Sequence, residues 1–285
     1  MNFLKKIGCA AAIALAAGTA QAEIMNDWFF NPIGTGKATA QPINEYLDVN
    51  GNAFIQITAT GGTSFSFAEH AVFNIVQADS NGQLFPVTYP GGNITATFEA
   101  YGTGNFSGAF TFAGGTIRMY QNPANGQYGS AAGVYGANLG NLIAEFAVLA
   151  GGGGTVDASG SPVKNGQVSI RAQANVADLA PNYFFADNGI DMSTVMNTAF
   201  AFTNANTVGS PTGRLVSEVA CQYAGFTGPG CGPVTNPGTY ANAPGQYFFV
   251  SNNGQLKFND VPEPASVALF GIALFGIGAL RRRVK

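Results

Sequence analysis

His70 is the single histidine of the chain, so any nucleophilic triad or imidazole metal site would have to be built on it. Its neighbour Glu69 is a poor orienting partner, because successive side chains of an extended segment point to opposite faces. His70 is therefore expected to be structural or solvent-facing. Asp187-Asn188-Gly189-Ile190-Asp191 places two carboxylates around an Asn and a Gly, part of what a hard cation needs. The twelve-residue calcium loop and its closing Glu are missing. A plain turn is expected, and whether Asp187 and Asp191 bind a cation stays open. The two acids of a glycosidase can lie far apart in sequence, and nothing singles out a pair here. No catalytic residue, metal site or cofactor is assigned, and the chain is read as a non-enzyme. Sugar recognition by exposed aromatics has more candidates: Tyr101, Tyr120, Tyr128 and Tyr135.

Both ends carry export chemistry. Lys5 and Lys6 precede an apolar run over 7–17, and Ala20-Gln21-Ala22 is a small-x-small cleavage pattern. This is a secretory signal peptide, handled by the Sec translocon and signal peptidase, with Glu23 the first mature residue. Cys9 belongs to the discarded apolar run. At the other end, Val261-Pro262-Glu263-Pro264-Ala265 leads into an apolar run to Leu280, followed by Arg281, Arg282 and Arg283. The two prolines oppose any helix continuing upstream through them. The 16 residues from Ala265 to Leu280 make about 24 Å of helix. That is short of the roughly 30 Å hydrocarbon core, a deficit snorkelling arginines can cover. The arginines mark a cytoplasmic flank.

This order closely resembles the PEP-CTERM sorting signal. The resemblance implies cleavage by an exosortase near Pro262-Glu263-Pro264 after transient inner-membrane anchoring. Delivery to the cell surface or extracellular matrix of a Gram-negative bacterium would follow. The body also resembles flocculation-associated PEP-CTERM proteins. The residues that carry this are Asn44-Glu45-Tyr46-Leu47, the loop between Cys221 and Cys231, and residues 240–250 just before the tail. What it implies is a non-enzymatic protein that promotes flocculation or biofilm formation with exopolysaccharide.

Three segments are expected: a signal peptide over 1–22, a secreted β domain over 23–258, and the sorting signal with its transmembrane helix over 259–285. Between Glu23 and Asp260 six basic residues stand against fourteen acidic ones, a net charge of −8. Nucleic acid and anionic lipid are unsuitable partners for such a body. Charged residues are few, and Gly, Asn, Thr, Ser and Gln take their place, which suits self-association or contact with polysaccharide hydroxyls. After signal removal only Cys221 and Cys231 remain, and an oxidising compartment should join them. Closing so short a loop contributes roughly 2–3 kcal/mol on the chain-entropy model.

The elements that must position these groups are strands. Apolar residues alternate over 53–59, 65–75, 94–101 and 167–176. Further strands are expected over 84–89, 214–223 and either side of two hairpin turns, Gly114-Gly115 and Asn252-Asn253-Gly254. Residues 142–150 fit a buried strand or a short helix, Gly151–Gly154 a flexible break, and 192–202 a short helix followed by a strand. Trp28, Phe29 and Phe30 read as a buried anchor. The fold class is all-β, an antiparallel β-sandwich, with a jelly-roll or barrel-like variant second.

Overall fold

The computed structural model describes residues 23–80, 83–86, 93–122, 128–163, 166–232 and 241–260. The signal peptide with Ala20 and Ala22 lies outside the described residues. So does the sorting segment from Val261 through Arg281, Arg282 and Arg283.

The strands, in chain order, are β1 Glu23–Ile24, β2 Trp28–Phe30, β3 Gln41–Ile43, β4 Tyr46–Gly61, β5 Ser64–Ser80, β6 Gln83–Pro86 and β7 Asn93–Asn105. They continue as β8 Ala109–Asn122, β9 Asn141–Val148, β10 Gly151–Thr155, β11 Gln167–Ala174, β12 Phe184–Phe185, β13 Asn197–Thr207 and β14 Tyr247–Asp260. Residues Met25–Phe258 form one compact unit. Outside it, Glu23 pairs with Asp260 and Ile24 with Asn259.

Within the compact unit the main sheet runs β14-β13-β11-β10-β8-β7-β5-β4, and β14 pairs β4, so the strand order closes on itself. Neighbouring strands run antiparallel, as in the β4–β5, β5–β7 and β7–β8 ladders. The expected antiparallel, sandwich-like all-β fold is what the chain adopts, with the ring closure of a flattened barrel. Alternation explains why. Phe65, Phe67, Ala71, Phe73 and Ile75 of β5 face inward with Ile94, Ala96, Phe98 and Ala100 of β7. Val168, Ile170, Ala172 and Ala174 of β11 join them, as their spacing predicts. A small sheet of β12, β2 and β3 buries Trp28 and Phe30 completely. Trp28 packs edge-on against Phe258 with ring centroids 4.9 Å apart, so the aromatic anchor is real.

A second apolar layer lies on the outer side of the ring. Residues Leu215–Tyr223 form a π-helix whose Leu215, Val216, Val219 and Ala220 pack with Phe54, Val72 and Phe249. The expected strand over 214–223 is thus a helix. Buried positions in adjacent pairs four residues apart fit a helical face and not a two-residue period.

Three glycine-rich expectations are also corrected. β8 runs unbroken through Gly114-Gly115, and the chain turns earlier, where Gly108 N–H donates to Asn105 O at 3.0 Å. Gly151–Gly154 is no break but strand β10, seated between β8 and β11. β14 likewise continues through Asn252-Asn253-Gly254, which pairs with Gly51, Asn50 and Val49 of β4. Of the ambiguous residues 142–150, 142–148 resolve as strand β9 and 149–150 lead out of it. The 192–202 segment is a 3₁₀ turn, Met192–Thr194, leading into β13. Of the strand expected over 84–89, residues 84–86 belong to β6 and 87–89 lie outside the described residues.

Candidate functional site

The first candidate is an outer face formed by β4, β5, β7 and β8. Cross-strand register aligns Gln56, Ala68, Tyr101 and Gly114 in one row and Thr58, Ser66, Thr103 and Thr111 in the next. Tyr101 is 58 % exposed. Its ring lies over Gly114, where an added Cβ would come within 2.8 Å of the phenol oxygen. A shallow groove of about 530 Å³ runs beside it, lined by Gln56, Thr58, Ser66, Thr103 and Ala113, with no charged side chain among its walls. An aromatic plate beside hydroxyl and amide groups offers apolar contact together with donors and acceptors.

The other candidate tyrosines are placed differently. Tyr120 is half-buried on β8. The Tyr128 hydroxyl donates to Val72 O at 3.2 Å and accepts from Asn52 Nδ2 at 3.0 Å. Its ring meets Tyr135 edge-on at 5.1 Å, and burial pushes its phenol well above the usual range. Tyr135 is tied by its backbone N–H to Glu218 Oε2 at 2.8 Å. Of the four, the structure leaves Tyr101 as the open plate.

The second candidate is the interior of the ring. Glu69 stands in the inward row of β5, opposite Ile55 of β4 and Ala100 of β7. It lines a chamber of about 40 Å³ walled by Ile55, Ile57, Phe67, Phe98 and Val250, and the residue as a whole is half-buried. Among the described residues no hydrogen bond or ion pair reaches its carboxyl, and burial raises its pKa to about 7. Glu69 enters the sequence reading only as the neighbour of His70. The signal is nonetheless present, since the two-residue alternation places it in a row of Phe, Ala and Ile.

His70 faces the other way, as expected. Its ring meets Tyr223 of the π-helix edge-on at 5.0 Å. Burial lowers its pKa, against a smaller upward pull from Glu99. The pair therefore forms no base–orienter couple.

Cys221 and Cys231 are joined in a disulfide that closes the loop after the π-helix. Arg214 Nη1 lies 2.8 Å from Glu218 Oε1 on that helix. Asp191 accepts from Ser193 N at 3.0 Å and from Asn182 N at 2.7 Å, while Asn188 Oδ1 accepts from Ile190 N at 3.0 Å. Asp187 offers its backbone carbonyl to Lys37 Nζ at 2.7 Å. These bonds are those of a turn and a helix cap. Among the described residues no cluster of three metal-ligating side chains occurs.

Residues 260–283 match the PEP-CTERM protein-sorting motif. The chain is thus an exosortase-sorted exported protein, processed at the membrane of a Gram-negative bacterium. The match lies in the tail and leaves the resemblance of the body to flocculation-associated proteins without support of its own. No curated protein and no solved structure matches the chain. Among the described residues no helix is long and apolar enough to cross a membrane.

Proposed function

We propose, for a chain that carries the exosortase sorting motif, a non-enzymatic role at the cell surface or in the extracellular matrix. There the released β body promotes flocculation or biofilm formation by contact with exopolysaccharide. The observation that carries this reading is the Tyr101 face. A pyranose ring presents an apolar C–H face and a rim of hydroxyls. The first packs on an exposed aromatic plate, and the second hydrogen-bonds to Gln56, Thr58, Ser66 and Thr103. The uncharged groove imposes no charge on its partner, so neutral polysaccharide is the favoured class. The low charge of the body also permits copies to approach one another, and self-association would multiply weak single contacts.

The same face favours a second, narrower reading, a carbohydrate-binding module that selects one saccharide class through Tyr101. A secreted hydrolase is the least favoured reading, since no two carboxylates converge on the groove.

The test is Tyr101→Ala in the native host, scored for export and for floc formation separately. Normal export with floc formation lost is the expected result. Normal flocs from the variant would remove the proposal. Glycan-array binding restricted to one saccharide class would favour the module.

A further inference from the structure

We propose that the end of the ring at which β14 finishes rests on the bilayer surface while the sorting tail still holds the protein. An apolar patch around Val176, Val195 and Met196 then sits in the boundary between lipid head groups and acyl chains. The inference is independent of the Tyr101 face, whose row includes Gln56 and so lies beside Tyr247, where β14 begins.

Register places the patch. Tyr247 of β14 stands opposite Gln56 and Lys257 opposite Tyr46, so β14 crosses from one end of the ring to the other. At its far end the rings of Trp28, Phe146 and Phe184 lie 4.9, 5.8 and 5.7 Å from that of Phe258. β13 runs antiparallel beside β14, with Gly254 against Phe202 O and Thr203. The start of β13 at Asn197 therefore lies close to Phe258, and Asn197 pairs with Ala174, the end of β11. The connecting stretch 175–196 is thus gathered where β14 stops.

Four of the eight large apolar side chains exposed among the described residues fall in this stretch: Val176, Ile190, Val195 and Met196. Val176 is the most exposed, at 60 %. Ala177 N donates to Ser193 O at 2.9 Å, so Val176 and the Val195-Met196 pair come from segments held side by side. The display is fixed, since the buried Asn197 Nδ2 donates to Met192 O at 2.7 Å and to Val195 O at 2.9 Å. Apolar groups held together against water mark a contact surface. Charge does not drive that contact. Asp178 Oδ2 accepts from Asn175 N at 2.7 Å, and Asp191 from Asn182 N and Ser193 N. The Lys37 ammonium lies on the Asp187 carbonyl and 4.4 Å from the centre of the Phe29 ring.

The chain beyond β14 says what covers the patch. Six residues, 259–264, separate Phe258 from Ala265, where the apolar run within the sorting motif begins. Fully extended, that tether reaches at most roughly 25 Å. A body of this length is ~45 Å across, so the end carrying Phe258 is the end held at the membrane. A span of about 24 Å in a core of roughly 30 Å also draws its flanks inward. At such range a few Val, Ile and Met side chains bind the boundary by effective concentration, where a free protein would not. Cleavage by the exosortase removes the tether, and the patch lets go.

The test uses tail-bearing protein from an exosortase-deficient host, in phosphatidylcholine vesicles at high lipid-to-protein ratio. Cys221 and Cys231 are paired, so Val176→Cys, Met196→Cys and Thr63→Cys can each carry one environment-sensitive fluorophore. Thr63 is exposed in the turn between β4 and β5, at the opposite end. Lipid bearing a nitroxide at the acyl boundary should quench labels at 176 and 196 severalfold more than at 63. The difference should be the same at about 0.1 M and about 1 M salt. Val195→Asp should lower quenching at 196, because a charge resists the boundary. Protein already released by exosortase, added to the same vesicles, should show no quenching at any position. The proposal is overturned by equal quenching at all three positions, by none at 176 and 196, or by undiminished quenching in Val195→Asp or in the released protein. Labels at 176 and 196 shielded from water but not quenched by lipid would also overturn it, and would assign the patch to a second copy.

Discussion

Glu69 and His70 stand back to back on β5, one facing the chamber inside the ring and the other the Tyr223 ring outside it. Burial acts on both, and it moves their pKa values in opposite directions, Glu69 up and His70 down. Two adjacent residues thus bias stability against pH with opposite signs.

The Glu69 contribution follows from its raised pKa. Below about pH 4.5 both folded and unfolded chains hold the proton, and no penalty exists. Between there and about pH 7 the unfolded chain loses its proton first, so stability falls as pH rises, and above about 7 the full penalty stays. At ~1.4 kcal/mol per pH unit the loss is on the order of 3 kcal/mol. Glu69→Gln should abolish this fall in urea midpoints between about pH 5 and pH 8. His70 has a lowered folded pKa, so its stability contribution is lost as pH drops below about 6.5. The Glu69→Gln protein should accordingly show midpoints that rise with pH in that window.

Gly114 is expected to control the aromatic plate without controlling the fold. A methyl group there meets the far end of the Tyr101 side chain, which can swing away. Gly114→Ala should shift the urea midpoint by no more than about 0.5 kcal/mol, the usual range for a surface change. Retention on the host polysaccharide should nevertheless weaken, read by co-sedimentation of variant and parent.

Gly153 should behave in the opposite way. Its φ is +114°, and a Cβ would collide with the Phe110 carbonyl of β8. Gly153→Ala combines backbone strain with a clash between two strands, and a loss of at least about 2 kcal/mol in urea unfolding is expected. Cavity-lining residues on β8 and β11 should become faster in hydrogen exchange.

The disulfide closes a sequence separation of 10. Cys221→Ser with Cys231→Ser should cost roughly 2–3 kcal/mol by the chain-entropy argument. Urea unfolding of the parent with and without reductant should reproduce the same difference.

Where the sequence alternates, it already contains the strand and its inward face; 94–101 and 167–174 show this residue by residue, while the expected strand end at 175–176 is a turn with Val176 exposed. Glycine carries no side chain to reveal a face, so β10 is invisible to periodicity, and its partners are set by closeness to Phe110 and Ser169. Asn252-Asn253-Gly254 has the composition of a turn, but it lies opposite the similar Val49-Asn50-Gly51, and Asn253 Nδ2 donates to Asn50 Oδ1 at 2.8 Å. A register 203 residues apart decides that conformation, and no local rule contains it. Tyr101 is legible as a residue type, its exposure only from the four-strand register. The chamber exists because β14 meets β4, a closure that no single segment encodes.

That closure has a bearing on export. β14 is the last described strand, and the sorting motif begins at residue 260, where β14 ends. A chain emerging amino end first would leave the facing edges of β4 and β13 open until its final stretch is across. The body can therefore seal itself only as the sorting motif follows it across, and a body cut short before residue 247 would keep two raw seams, ready to stitch onto its neighbours.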